Sequence, residues 1–309
     1  MKPIAIAILG FGKIAADQHV PSIGGNERLR LVATSSRSGA GPAPCYTDWR
    51  ELLRDVDGLE AVAITTPPGP RTEVARACIE AGLHVLLEKP PTVTLGETQA
   101  LAEHAARKGV TLFATWHARH NPAVTAAADL LAGKRVESME IVWHEDVHKW
   151  HPGQDWIWEP GGFGVFDPGI NAFSIATAIF PGPLFVRSAE LHFPENAQTP
   201  IAVEAVFSSP AADGAVTCSL DWRRSEGEEW TIRILSEGRR IELLGGGSEL
   251  VVDGRRHDCE GMGEYPDIYA RFIDLIDNRA SDVDMAPLRL VADVLLVGRR
   301  QVVEPVART

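Results

Sequence analysis

The chain is poor in cysteine, in basic charge and in long apolar runs, and each shortage narrows what it can be. Its 309 residues include four cysteines: Cys45, Cys78, Cys218 and Cys259, with no CxxC pair among them. That pattern predicts reduced, buried thiols in a cytoplasmic protein rather than a disulfide framework. Lys and Arg total 30 against 42 Asp and Glu, a net charge of −12. An acidic surface argues against a nucleic-acid or anionic-membrane partner, since binding polyphosphate needs a basic face. No run of about 18 apolar residues offers a membrane span, and the run Ile4–Leu9 lacks the small-residue cleavage site of a secretory signal. The sequence also has no internal repeat and no low-complexity stretch. What remains is ordinary globular usage, 45% hydrophobic and 23% charged, in a chain long enough for about two domains.

The first third alternates short apolar runs with helical patterns. Ile4–Leu9, Leu29–Ser35, Ala61–Thr66, His84–Leu87 and Val110–Thr115 read as strands covered on both faces. Asp48 with Glu51, and Thr94 with Glu97, are capping-box pairs that open helices at Trp49–Val56 and from residue 95 to Gly109. Thr72–Ala81 carries an apolar stripe and stops at Gly82. Strands alternating with helices imply a doubly wound parallel sheet. After about residue 120 the pattern changes. Val136–Val147, Leu184–Phe193, Ala202–Phe207, Ala215–Leu220, Trp230–Leu235, Arg240–Leu244 and Glu249–Val252 read as strands joined by turn-rich pieces. Helices are expected at Asn171–Ile179, Asp267–Arg279 and Leu288–Arg300. The fold class is therefore α/β. An N-terminal Rossmann domain over residues 1–120 precedes an α+β domain over 121–309 with a large, mostly antiparallel open sheet. The late helices are able to pack back on the first domain.

Gly10-Phe11-Gly12-Lys13-Ile14-Ala15 follows the first strand and fits G-x-G-x-x-A. The first glycine permits the turn, the second lets backbone approach a pyrophosphate, and Ala15 allows close helix–strand packing. An ordinary strand–helix turn is the alternative, but a second strand about twenty residues on favours a dinucleotide. At the end of that second strand, where an acidic residue would mark NAD, stand Ser35, Ser36 and Arg37. Small hydroxyls and a guanidinium suit a 2′-phosphate and tolerate a plain ribose, so NADP or dual use is favoured over strict NAD.

Further on the chain reads Thr66-Pro67-Pro68, Glu88-Lys89-Pro90 and, at residues 161–171, GGFGVFDPGIN. With Asp17-Gln18-His19-Val20-Pro21, Thr115-Trp116-His117 and the stretch Trp150–Gly162, these motifs resemble the Gfo/Idh/MocA oxidoreductase family across the whole chain. The closest likeness is to its bacterial aldose 1-dehydrogenases acting on L-arabinose and D-galactose. The resemblance implies oxidation of a sugar at its anomeric carbon to a lactone. It places Thr66, Pro67, Pro68 and Glu88 beside the nicotinamide ribose and Lys89 at the sugar hydroxyl. Asp167 and Asn171 would face the same carbon from the second domain. Many relatives carry histidine where Asn171 stands, and an amide is no useful proton acceptor. Asp167 is then the preferred base, with Lys89 stabilising the developing alkoxide; a desolvated Lys89 is the rival base. Read alone, Lys89 is equally a solvated ion-pair residue, and Asp167 a helix N-cap.

Trp143, Trp150, Trp156 and Trp158 crowd one stretch with His144, Glu145, Asp146, His148 and His151. Flat rings ringed by hydrogen-bonding groups suit a polyhydroxylated ligand, which makes Glu145, His151, Trp230 and His117 candidates for sugar contact. The plain alternative is a stabilised loop or subunit contact. His144-Glu145-Asp146-Val147-His148 matches H-E-x-x-H, yet it continues a strand pattern. In an extended chain residues four apart lie about 13 Å from one another, too far to share an ion, so no metal is expected. An open sheet in the second domain predicts a homodimer through that sheet. A non-catalytic sugar or dinucleotide sensor of the same fold, and a dehydrogenase of another polyol such as inositol, are the competing readings.

Overall fold

The computed structural model describes residues 2–307, which divide into two compact units. One holds the chain up to His117 together with Met262–Met285; the other holds Ala118–Gly261 and the chain from Ala286 onward.

In the first unit, strands β1 (Ile4–Leu9), β2 (Leu29–Ser35), β3 (Cys45–Tyr46), β4 (Ala61–Ile64), β5 (His84–Leu87) and β6 (Leu112–Ala114) form a sheet in the order β3-β2-β1-β4-β5-β6. Every pairing is parallel. All six residues of β1 are buried because both faces are covered. Ile4, Ile6 and Ile8 pack on one side with Ile23, Tyr265, Tyr269 and Phe272. Ala7 and Leu9 pack on the other with Leu52, Val74, Cys78 and Leu101. That two-residue alternation is the pleat itself. The helices are α1 (Val20–Gly24), entered through a π turn at Ala15–His19, then α2 (Trp49–Asp55), α3 (Pro68–Glu80) and α4 (Leu95–Lys108). Asp48 accepts the Arg50 N–H at 2.9 Å, and Thr94 and Glu97 form a reciprocal capping box.

The helix expected from Thr72 begins instead at Pro68. Pro68 and Pro70 fall in the first turn, where no N–H is needed for the ladder and the fixed φ suits the helix. β4 ends at Ile64 and β6 spans only Leu112–Ala114, both shorter than the apolar runs implied.

The second unit contains α5 (Pro122–Leu131), β7 (Ser138–His144), α6 (Val147–Trp150), α7 (Phe166–Ile179), β8 (Phe185–Pro194), β9 (Ala202–Ser208), β10 (Val216–Asp221), β11 (Glu229–Ser236), β12 (Arg239–Leu244), β13 (Glu249–Val252) and β14 (Arg255–His257). Helix α8 (Glu264–Asp277) returns to the first unit, whereas α9 (Ala286–Val297) and β15 (Arg299–Val303) complete the second. The sheet runs β14-β13-β12-β11-β7-β10-β9-β8-β15 and is mostly antiparallel, with parallel pairs β7/β10 and β8/β15.

Four expectations are corrected here. The strand over Val136–Val147 stops at His144 because Asp146 caps α6 through the His148 N–H at 2.9 Å. Helix α7 starts at Phe166, five residues before Asn171, and 12 of its residues are buried, so its apolar surface runs all round rather than in a stripe. A Cβ on Gly169 would stand 2.5 Å from Leu220 Cδ1, and the missing side chain lets α7 lie close on β10. The helix expected to reach Arg300 ends at Val297, and Arg299–Val303 pairs as a strand with β8. Finally, Cys78 and Cys218 are buried, but Cys45 and Cys259 are only half-buried. Burial pushes the Cys78 thiol up to about 12, so it stays protonated. Among the described residues no helix is long and apolar enough to cross a membrane.

Candidate active site

The carboxyl ends of β1, β2, β4 and β5 meet at the first unit's glycine-rich turn, beside the point where the strand order reverses. The N–H groups of Gly10 and Phe11 both donate to the Ser35 carbonyl, at 3.0 and 2.8 Å. The Thr65 hydroxyl donates to the Gly10 carbonyl at 2.6 Å. Gly10 has φ +100°, and a Cβ there would lie 2.7 Å from the Thr66 nitrogen; no other residue fits. A Cβ on Gly12, in contrast, meets nothing within 4 Å. Gly12 therefore faces open space next to the first helical residues, and the Thr66 hydroxyl is buried without a hydrogen-bond partner. Open space beside the Gly12 backbone and an unanswered hydroxyl fit a dinucleotide's pyrophosphate and ribose.

Lys13 and Ile14 are exposed at that turn, with Lys13 paired to Asp17. Ser35 is buried, Arg37 is exposed, and the Ser36 hydroxyl reaches the Ser38 hydroxyl at 2.9 Å and the Ala40 carbonyl at 3.1 Å. The Ser36 side chain thus holds its own loop. Pro67 is the N-cap residue of α3 and Pro68 its first residue.

At the end of β5 the Glu88 carboxylate is 5% exposed. Its Oε1 accepts the Tyr265 hydroxyl at 2.8 Å and lies 3.1 Å from His19 Nε2, whose Nδ1 is 2.7 Å from the Tyr269 hydroxyl. Burial alone would raise its pKa, but the bond and charge of His19, the charge of His117 and the Tyr265 bond hold it well below the usual carboxylate range. These partners favour the ionised form of Glu88. His117 stacks on Tyr265 at 5.9 Å between ring centroids and meets Glu264 at 3.0 Å. Burial would lower its pKa, but Glu264 and Glu88 raise it above the ordinary histidine value. Lys89 belongs to this unit, and its backbone N–H donates to Glu88 Oε2 at 2.9 Å.

In the second unit four candidate groups and Trp222 form one chain of contacts. Asp167, 7% exposed, lies 3.6 Å from His151 Nε2. The His151 ring packs on Trp222 at 5.1 Å. The indole N–H of Trp222 donates to Glu145 Oε1 at 3.0 Å, and that of Trp230 donates to Glu145 Oε2 at 3.0 Å. Asn171 stands one turn beyond Asp167 on α7, with its Oδ1 buried and lacking a hydrogen-bond partner. Asp167 sits inside the first turn, while Val165 is the N-cap residue, so the N-cap reading of Asp167 is set aside. Trp143 and Trp150 flank Trp230 at 6.1 and 5.5 Å, and Trp158 meets Trp222 at 5.5 Å. A carboxylate backed by two indole donors and flanked by aromatic faces offers what a buried polyol needs.

The H-E-x-x-H residues fall on different elements. His144 ends β7 and reaches Ser219 at 2.8 Å, while His148 lies in the first turn of α6. Among the described residues no group of three or more His, Cys, Asp or Glu is placed to hold a metal ion.

Sequence reasoning missed Trp222, Arg71, Tyr265 and Tyr269 as parts of these clusters. Trp222 follows β10 as Trp230 lies in β11, and an aromatic beside Asp221 was the available signal. Arg71 is 3% exposed on α3, where a helical arginine reads as a surface residue. The tyrosines sit four apart on α8, a spacing that signals a buried helical face without saying against what.

Residues 4–116 match the family described as an oxidoreductase family with an NAD-binding Rossmann fold. The galactose 1-dehydrogenase of Pseudomonas fluorescens is 43% identical over 307 residues, covering 98% of this chain and 99% of that protein. The crystal structure of a D-galactose-1-dehydrogenase from Rhizobium etli has a TM-score of 0.94 at 45% identity, covering 99% of both chains. A 3-ketoreductase from Actinomadura kijaniata, solved with NADP, shares the fold at a TM-score of 0.84 and 17% identity, over 98% of this chain and 100% of that one.

Proposed function

Because this chain belongs to the Gfo/Idh/MocA oxidoreductase family, we propose that it is an NAD(P)-dependent aldose 1-dehydrogenase. It converts D-galactose, L-arabinose or both to the aldonolactone. The observation that carries this reading is the 43% identity to a galactose 1-dehydrogenase over 98% of the chain. The linked Asp167, His151, Glu145 and Trp230 contacts support it independently. L-Arabinose and D-galactose share ring stereochemistry from C1 to C4, and a site reading the shared hydroxyls discriminates weakly against an extra carbon.

When bound, the oxidised dinucleotide supplies the two-electron acceptor for the C1–H bond. We assign its pyrophosphate to the Gly10–Ile14 turn and its nicotinamide ribose to Thr66, Pro67, Pro68 and Glu88. Since the Ser36 hydroxyl already holds its loop, Arg37 is the stronger determinant of a 2′-phosphate, with Ser35 and Ser36 shaping the turn. NADP or dual use follows. Asp167 takes the proton from the anomeric hydroxyl, and Lys89 offers its ammonium to the oxygen as charge grows on it. His151 orients Asp167, and Asn171 donates through its amide rather than titrating. Glu145 accepts a sugar hydroxyl, fixed in place by its two indole donors, while Trp230 covers C–H faces and His117 adds a further contact.

The proposal includes a cytoplasmic homodimer joined through the nine-stranded sheet, where Phe185 of β8 and Val206 of β9 stay exposed in one protomer; sedimentation tests it. The activity is tested by following reduced-dinucleotide absorbance with galactose, arabinose, glucose and inositol, each with NAD and NADP. Turnover of galactose or arabinose well above the others is expected. Flat traces with dinucleotide still bound would make the protein a sensor, and inositol alone reacting would make it a polyol dehydrogenase.

A further inference from the structure

The backbone around Lys89 is held by two buried charged side chains. On α3, Arg71 donates Nη1 to the carbonyls of Glu88 and Pro90, and Nη2 to the carbonyl of Thr66. From the other side, the Glu88 carboxylate accepts the Lys89 N–H. Glu88 is itself held by Tyr265 and His19, and His19 by Tyr269. So the peptide group before Lys89 is gripped at its oxygen and at its nitrogen, and the carbonyl one residue beyond is gripped as well.

Burying a guanidinium and a carboxylate carries a large desolvation cost before compensation. Capping three carbonyls does not require so costly a device, since solvent or neutral donors cap most turns. A planar fork of five N–H donors does, however, reach several carbonyls at once in a fixed geometry. Each residue has only two soft backbone dihedrals. Fixing the peptide on one side of Lys89 and the carbonyl beyond it leaves its Cα–Cβ bond one direction. The same guanidinium ties that tripeptide to the Thr66 turn at the end of β4.

We propose that Arg71 and Glu88 are positioning residues that fix the main chain of Lys89 and thereby aim its ammonium. They also lock the Thr66 and Glu88–Pro90 turns to one another. This inference rests on the reading above, in which Lys89 meets the reacting oxygen. A small misplacement of such a group costs about 10²-fold in rate.

The test compares Arg71→Lys, Arg71→Met and Glu88→Gln with the unaltered full-length protein, saturated with dinucleotide. Thermal midpoint, hydrogen exchange of the 84–92 segment, kcat, sugar KM and the isotope effect on kcat with C1-deuterated galactose are measured. The variants that fold should exchange faster in that segment. They should lose about 10- to 100-fold in kcat with sugar KM within about threefold, and show a larger isotope effect as hydride transfer becomes limiting. Arg71→Lys keeps the charge and should recover part of kcat relative to Arg71→Met. Faster exchange with unchanged kcat and isotope effect would make the clamp a stability device and overturn the proposal, as would unchanged exchange. An unaltered protein inert toward every sugar would remove the assigned activity, and the exchange comparison alone would then decide whether Arg71 and Glu88 hold Lys89.

Discussion

Around the glycine-rich turn of the first unit and the neighbouring Thr66 and Glu88–Pro90 turns, many of the gathered groups are main-chain. Gly10 and Phe11 donate to Ser35, Thr65 donates to Gly10, and Arg71 binds three carbonyls. In the second unit the contacts run from side chain to side chain: Asp167 to His151, His151 to Trp222, Trp222 and Trp230 to Glu145. A ligand half common to many reactions is met by geometry that nearly any sequence can supply once its glycines are right. A ligand that must be told from its stereoisomers needs particular side chains in particular places, each backed by another. Substitutions in the second unit should therefore alter sugar kinetics, and those in the first should alter dinucleotide affinity, with Lys89 the main exception and Arg71, Glu88 and His117 further ones.

The largest expected effect tests that exception. Asp167→Asn and Lys89→Met should each lower kcat by about 10²–10⁴ if they serve proton transfer and charge stabilisation. Steady-state rates across pH separate them, because only loss of the base removes the acidic limb of the kcat profile. Unchanged kcat with raised KM in Lys89→Met would reduce that residue to binding alone. Next comes Glu145→Gln, which leaves one indole donor facing an amide nitrogen. Sugar KM should rise about 10- to 100-fold, the scale of a lost bond to a charged acceptor, while dinucleotide affinity measured by fluorescence titration stays put. A parallel loss of dinucleotide affinity would break the contrast between the units. Arg37→Ser supplies the converse: about tenfold weaker NADP with unchanged NAD and sugar constants.

The smallest effect concerns stability. The His117 pKa is raised in the folded protein, so its protonated form is favoured there. Its contribution to stability is complete below about 6.5, the ordinary histidine value, and is lost as pH rises through the higher folded value. His117→Gln should flatten the decline of the thermal midpoint above that point. Glu88 works in the opposite sense: its depressed pKa stabilises above the usual carboxylate range and is lost only on acidification. Calorimetry from about pH 7 to 9 reads the His117 contribution, and acid titration of the thermal midpoint below about pH 4.5 reads that of Glu88.

Legibility in the sequence followed the range of the interactions. Ile4–Leu9, the GxGxxA turn and the Thr94–Glu97 box are local, and the structure carries all three where the residues imply them. The parallel sheet and the mostly antiparallel second sheet were equally readable from period and turn chemistry. β15 was not, because Arg299-Arg300-Gln301 continues a polar helical face until pairing with β8 decides otherwise. The start of α7 was hidden by Pro168 and Gly169, which read as breakers but sit in its first turn. Glu145 was singled out from its neighbours, yet its donor Trp222 lies 77 positions away. Tyr265, which closes over Glu88, lies 177 away. No spacing rule reaches that far, so those partners needed coordinates.

The return of α8 has a bearing on how the molecule is made. Tyr265, Ile268, Tyr269 and Phe272 complete the hydrophobic layer over Ile6, Ile8 and Ile23. During synthesis the opening third of the chain emerges early, with that flank of its sheet still wet and the Glu88 carboxylate still unsealed. It acquires a finished interior only after well over a hundred intervening residues have left the ribosome. A fragment cut near residue 120 would keep the glycine turn but expose a greasy sheet face, and nascent chains of that length are natural clients for chaperones.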